Sequence, residues 1–80
     1  MTKKESLKCE KLLTEAIRTA KQAEDEFSLS EKLAKEGDKI QSEIEQRKAD
    51  NHTGYAEGIE QVLSTLGFKH DRMKELQKLL

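Results

Sequence analysis

The chain contains no proline and no tryptophan, and it has one cysteine, four glycines, one tyrosine and two phenylalanines among 80 residues. With one cysteine, no disulfide can form within the chain. Few β-branched or aromatic residues are present, so β-strands have little to build from. No segment approaches the roughly 18 consecutive apolar residues of a membrane span. These absences leave an all-α fold in a single domain, residues 1–80, as the expected class.

The single cysteine also bears on the compartment. Cys9 has no partner in the chain, and the start "MTKKESLKCE" lacks the apolar run of a secretory signal. Both features are typical of a reducing environment, so we expect a cytoplasmic protein. Charged residues make up 39% of the chain and hydrophobic residues 34%. At that composition, folding depends on the spacing of the apolar residues.

The charges are unevenly distributed. Residues 22–45 carry eight acidic side chains against three lysines, a net of −5, in a chain whose total is −1. The acidic residues are Glu24, Asp25, Glu26, Glu31, Glu36, Asp38, Glu43 and Glu45. No strongly basic footprint for nucleic acid is present. The acidic segment is best interpreted as the solvated face of a long helix, and mimicry of nucleic acid is the alternative.

The apolar spacing predicts two helices in the first 50 residues. Cys9, Leu13, Ala16, Ala20, Ala23 and Phe27 share one helical direction, while Leu29, Leu33, Gly37, Ile40 and Ile44 point roughly 120° away. A break between them resolves this conflict, and "SLSE" at 28–31 has the pattern of a capping box. We therefore expect helices at about 5–27 and 29–50, packed as an antiparallel hairpin. One long kinked helix over 5–50 is the alternative.

Two shorter helices follow in the prediction. "ADNHTG" should stop the second helix, with Asn51 in the left-handed conformation and Thr53 as the next cap. The third helix covers about 54–66, and "LGF" at 66–68 predicts a Schellman ending at Gly67. Asp71 is the expected N-cap of a short last helix, whose apolar residues are Met73, Leu76, Leu79 and Leu80.

No catalytic, cofactor or metal site is expected. Gly54 and Gly58 are spaced G-x-x-x-G but lack the strand and the Lys-Ser/Thr of a phosphate loop. His52 and His70 have neither the spacing nor the number of partners that zinc requires. Cys9 lies on an apolar stripe and is interpreted as a structural thiol. Gly58 costs about 1 kcal/mol against alanine in a helix, so we expect another helix to approach it closely.

The run "GYAEGIEQVLSTLGF" at 54–68 resembles the C-terminal ends of small accessory proteins from prophages and mobile elements of Gram-positive bacteria. Those proteins often carry "Y-x-x-G-[IL]-x-x-[VA]-L-x-x-L-G". The resemblance implies a phage or mobile-element protein that binds a host or phage protein. It carries no defined site residues with it.

Taken together, the sequence favours a non-enzymatic interaction protein, an adaptor or inhibitor of a larger protein. The expected binding residues are Tyr55, Gly58, Ile59, Val62, Leu66 and Phe68. The few apolar residues also favour a homodimer, because a short chain buries a limited core. The alternatives are a small DNA-binding regulator, which would use residues 71–80 as its reading helix, and the acidic nucleic-acid mimic.

Overall fold

The computed structural model describes all 80 residues and contains three helices and no strands. The helices are α1 (Lys3–Lys35), α2 (Lys39–Thr65) and α3 (Arg72–Leu79). Helices α1 and α2 pack against each other as an antiparallel hairpin, and α3 packs mainly on α1, so the molecule is a rod of 52 × 17 × 16 Å. The expected all-α class, the long hairpin and the short C-terminal helix are confirmed.

Local signals fix where α1 begins and ends. Thr2 and Glu5 form a capping box, in which the Glu5 N–H donates to Thr2 Oγ1 at 3.1 Å. At the other end Gly37 has a φ of +86°, and the Asp38 N–H donates to the Leu33 carbonyl at 2.9 Å. This is a Schellman ending, and glycine adopts its left-handed residue without steric cost.

Helix α2 begins directly after that turn and ends in the same way. Asp38 is its N-cap and accepts from the Gln41 N–H at 3.2 Å. Gly67 has a φ of +73°, and the Phe68 N–H donates to the Leu63 carbonyl at 3.0 Å. The Schellman ending predicted at Gly67 is therefore confirmed.

The two other predicted helix breaks are wrong. Helix α1 runs through Ser28 without interruption, and α2 runs through Asn51, Thr53 and Gly54. Asn51 is not left-handed, since no residue other than glycine has a positive φ. The hairpin turns at Gly37 instead, where a helix-ending glycine is followed at once by a helix-starting aspartate.

The apolar core lies at one end of the rod, which we call the open end (residues 2–23 and 54–80). Its buried members are Cys9, Leu13, Ala16, Ile17, Ala20, Ala56, Leu63, Phe68, Met73 and Leu76. Alanines along both long helices let the backbones approach closely, and the larger side chains fill the space beneath α3. Cys9 is buried there, as expected for a structural thiol.

The remainder of the hairpin, the turn end (residues 26–52), is joined by polar pairs. Ser30 and Ser42 each donate through their hydroxyl to the other's backbone carbonyl at 2.8 Å. His52 Nδ1 lies 2.6 Å from Glu26 Oε1. Ser30, Ser42 and Glu26 are buried and all are paired, so no buried side-chain polar atom lacks a hydrogen-bond partner.

Helix α3 is held on α1 by both packing and polar contacts. Asp71 stands at the N-cap position, but its side chain makes no capping bond; His70 Nδ1 instead accepts from the Arg72 N–H at 3.1 Å. Arg72 also donates to Thr14 Oγ1 at 3.0 Å, and Lys21 pairs with Glu75 at 3.2 Å. Asp71 thus occupies the predicted N-cap position, while His70 supplies the side-chain bond at the start of α3.

Candidate functional site

One sector of the exposed surface of α2 carries no charge. Between residues 51 and 66, the side chains within a sector of about 140° on the helix surface are all exposed and all uncharged. These eight residues, which we call the uncharged face, are Asn51, Gly54, Tyr55, Gly58, Gln61, Val62, Thr65 and Leu66. In a chain with 39% charged residues, a solvent-facing stripe four turns long would ordinarily contain several.

The apolar members of this face are well exposed. Tyr55 is 52% exposed, Val62 53% and Leu66 57%, and Leu12 of α1 beside them is 41% exposed. Leu12 projects from the flank of α1 opposite to Thr14, the residue that Arg72 of α3 contacts, because the two are about 200° apart around the helix. The uncharged face therefore continues onto the side of the hairpin that α3 leaves open.

Two adjoining grooves run along the face. The first has a volume of ≈ 470 Å³ and is lined by Leu12, Gly54, Tyr55, Gly58, Ile59 and Val62. The second, of ≈ 310 Å³, is lined by Gly58, Gln61, Val62, Thr65 and Leu66. Gly58 and Val62 line both, so the missing side chain at Gly58 lies at the middle of the combined depression.

The two glycines have no role inside the chain. A Cβ added at Gly54 or at Gly58 would meet no atom within 4 Å. No helix of this chain approaches Gly58, so that expectation is corrected: within the chain there is no contact that requires glycine. Both residues nevertheless lie inside α2, where each costs about 1 kcal/mol relative to alanine.

The predicted binding residues separate into three groups. Tyr55, Gly58, Val62 and Leu66 share the uncharged face, and the structure brings them to one surface. Ile59 is half-buried and packs against the core while it lines the groove. Phe68 is buried in the core and stacks on His70 with ring centroids 5.9 Å apart. Phe68 therefore does not belong to the surface, because the Schellman turn folds it inward.

Five members of the site were not among the predicted binding residues: Leu12, Asn51, Gly54, Gln61 and Thr65. The sequence predicts Asn51 in a turn, and apolar spacing does not identify the polar residues of the face. Counting charges in a helical sector, instead of apolar residues, would have revealed the face. Leu12 needed the structure, since only the register of the hairpin brings it beside Tyr55 and Ile59.

One ion pair borders the face. On α1, Arg18 donates to Glu15 at 2.6 Å. This hydrogen bond is the main reason that the pKa of Arg18 is raised above its ordinary value, and Tyr55 makes a smaller electrostatic contribution. A partner that covers the face would meet an ion pair at this edge and not a free charge.

Other surfaces are less suited to bind a partner. At the turn end Ile40 and Ile44 are exposed, but Lys39, Glu43 and Arg47 lie beside them on the same side of α2. No group of three or more His, Cys, Asp or Glu side chains is placed to hold a metal ion. The uncharged face is the one exposed surface with an apolar row, a groove and no charge.

None of the three helices has a segment that is both long and apolar enough to cross a bilayer. No protein-family model, curated protein or solved structure matches this chain. The uncharged face is thus identified from its geometry and chemistry.

Proposed function

We propose that this protein is a non-enzymatic interaction module, an adaptor or inhibitor that binds another protein through the uncharged face of α2. The observation that carries the proposal is the charge-free exposed sector from Asn51 to Leu66. Solvent exposure of Tyr55, Val62 and Leu66 gains nothing for the isolated chain, whereas their burial in an interface would contribute free energy in proportion to the apolar area covered.

A protein fits this surface better than a small molecule does. Small-molecule sites enclose 70–90% of their ligand, whereas the two grooves lie open along a helix. The face offers few directed polar groups: a tyrosine hydroxyl, two amides and a threonine. An elongated, shallow and mainly apolar groove suits the apolar stripe of a helix.

The setting of the proposed function comes from the resemblance of residues 54–68 to accessory proteins of prophages and mobile elements. The uncharged face lies almost wholly inside that run. A phage or mobile-element adaptor that binds a host or phage protein is therefore the form of the proposal that we favour.

The two alternatives stand as predictions with less support. For a DNA-binding regulator, α3 would be the reading helix, but Arg72 is occupied by Thr14 and Glu75. For an acidic mimic, the acidic segment would face a basic groove, but Glu26 is buried against His52. Binding of duplex DNA that falls steeply with salt would favour the regulator over the interaction module.

A photo-crosslinking amino acid at Tyr55 tests the proposal directly. Benzoylphenylalanine at position 55, in cells that naturally produce the protein, is expected to form a covalent adduct of defined mass on irradiation. The matched control carries the same group at Glu57, which is exposed on the same helix but about 160° away around it. Adducts that form equally at both positions, or at neither, would contradict the proposed function.

A further inference from the structure

We infer that the partner of the uncharged face is a second copy of this chain, with the two α2 helices antiparallel and Gly58 of one copy against Gly58 of the other. This inference rests on the proposed function, because it takes the uncharged face to be a protein-binding surface. It names a second copy of the chain, in place of a host or phage protein, as the partner that this face binds. The occupant must lack charge along four helical turns, and the protein's own face meets that condition.

The arrangement of residues within the face favours this pairing. Its residues form two rows along α2. The apolar row contains Tyr55, Val62 and Leu66, and Leu12 of α1 lies next to it. The small and polar row contains Gly54, Gln61 and Thr65. Gly58 lies between the rows near the centre of the face.

A two-fold axis perpendicular to the helices keeps like rows together. In that antiparallel arrangement, the apolar row of one copy lies beside the apolar row of the other. A two-fold axis parallel to the helices would instead place each apolar row beside the partner's Gln61 row. The antiparallel arrangement therefore buries apolar surface against apolar surface, as a self-complementary interface requires.

The axis position follows from side-chain size. With Gly58 at the axis, residues of the same row meet when they lie within about one residue of the same distance on either side of it. Tyr55 then packs on the second copy's Val62, and Gly54 leaves room for Gln61. Asn51 meets Thr65, so a polar residue faces a polar residue. The two glycines allow the backbones to approach closely at the centre, which accounts for residues that the fold of a single chain does not need.

The size of the face sets the strength of this association. From Asn51 to Leu66 the helix extends about 22 Å, with a width near 10 Å. The area per copy is then well below the roughly 800 Å² per partner of standard interfaces, so the dimer belongs to the weak, reversible class. We expect the mass in solution to rise above 9.2 kDa only at high concentration.

Sedimentation equilibrium measures this association. Between about 10 µM and 1 mM, the range in which interfaces of this class dissociate, the average mass of the wild type should approach that of a dimer. Val62→Lys, which places a charge in the apolar row, should remain a monomer throughout. Ser64→Lys, exposed on the other side of α2, should behave as the wild type. Circular dichroism checks that all three chains fold alike.

Cysteine cross-linking with oxidised glutathione, which accepts the two electrons of each disulfide formed, determines the register. In a Cys9→Ala background, Gly58→Cys should cross-link to itself, because the two Cα atoms lie within the reach of a disulfide. Asn51→Cys and Thr65→Cys should cross-link when mixed but not alone. Glu57→Cys is the control, since its side chain points away from the axis.

The outcomes separate this inference from the proposed function. A wild type that stays at 9.2 kDa over the whole range overturns the dimer, and so does Asn51→Cys cross-linking to itself, which indicates parallel helices. If the chain is a monomer while benzoylphenylalanine at position 55 captures a different protein, the proposed function stands and the inference fails. If position 55 captures nothing either, both fail.

Discussion

The two ends of the hairpin are joined by different chemistry. At the open end, α1 and α2 meet through Leu13, Ala20 and Leu63 under the cover of α3, and burial of apolar surface stabilises the contact. At the turn end no third helix covers the pair, and apart from Ala49 the buried positions are Ser30 and Ser42, which pair with each other, and Glu26, which pairs with the half-buried His52. One continuous helical hairpin thus has an apolar half and a polar half.

The solvent-exposed surfaces of the two ends also differ. The turn end has a charged exterior around its polar pairs, while the open end combines the apolar core with the uncharged face. Polar pairs contribute little net free energy, because their members exchange bonds with water for bonds with each other, but leaving one member unpaired is costly. The turn end therefore holds the helices in register, and the open end supplies most of the stability.

The largest expected effect is at the open end. Leu63→Ala removes a fully buried side chain and should lower the free energy of unfolding by about 2–5 kcal/mol. Val62→Ala, the adjacent and exposed residue, should change it by less than about 0.5 kcal/mol. Chemical denaturation of both at a concentration that keeps the chain monomeric measures the difference. Equal losses of unfolding free energy in the two variants would contradict the placement of the apolar core at Leu63.

A smaller loss is expected from the Glu26–His52 pair of the turn end. Glu26→Ala leaves His52 without its partner and should cost about 1–3 kcal/mol. Glu26→Gln keeps the volume and a hydrogen bond to Nδ1, so it should cost less than the alanine variant. Unfolding midpoints of the two variants provide the test. An alanine variant as stable as the wild type would show that the pair does not support the hairpin.

The serine pair should show coupling. Ser30→Ala or Ser42→Ala alone should each cost about 1 kcal/mol. The double variant should cost less than the sum, because the two hydroxyl oxygens lie 3.0 Å apart and the removal of either one already alters the surroundings of the other. A double-mutant cycle measures the coupling, and strict additivity would indicate that each serine acts only through the backbone.

Gly58→Ala should have the opposite sign. Because an added Cβ meets nothing within 4 Å, the substitution should raise the free energy of unfolding of the monomer by about 0.5–1 kcal/mol. It should also weaken the proposed dimer, since the methyl group keeps the backbones apart. Denaturation at low concentration and sedimentation at high concentration separate the two effects. A destabilised monomer would contradict the open surroundings of this residue.

The smallest effect concerns pH at the α1–α3 contact. The hydrogen bond from Lys21 holds the pKa of Glu75 below its ordinary value of 4.5, with a lesser contribution from Arg72. A lowered pKa in the folded state stabilises the protein above pH 4.5, and this stabilisation is lost as the pH falls through the folded pKa. The difference in unfolding midpoint between the wild type and Glu75→Gln should therefore shrink from pH 6 to pH 3. A constant difference would exclude this linkage.

The same contrast between the ends explains what the sequence could predict. At the open end apolar periodicity located the hairpin's core residues, the Gly67 ending and the apolar residues of α3. At the turn end it failed, because Glu26 and Ser30 occupy the buried positions that continue from Ala23, while Phe27 and Leu29 are exposed. If only apolar residues are taken as buried, the buried face of α1 changes direction near Ser28, and a helix break is predicted there.

The site was partly predictable for the same reason. Tyr55, Val62 and Leu66 are predictable because they are apolar at helical spacing. Phe68 does not share their surface, and the Schellman ending predicted at Gly67 already indicates that it folds back on the helix. The charge-free sector can be recognised only when it is known which residues belong to the same helix. Because a helix end was predicted at Asn51, the first turn of this sector was not assigned to the helix that carries the rest of it.

The turn at Gly37 also has a consequence for the order of folding. The Ser30–Ser42 bond closes a separation of 12 residues, His52–Glu26 one of 26, and Arg72–Thr14 one of 58. The entropy of closing the longest of these loops exceeds that of the shortest by only about 1.4 kcal/mol. The turn end can therefore close first. Its polar pairs contribute little net free energy, so we expect the folding barrier to be crossed only when the apolar residues of the open end pack together. We therefore expect the polar contacts of the turn end to form fastest and the apolar contacts of the open end to determine the folding rate.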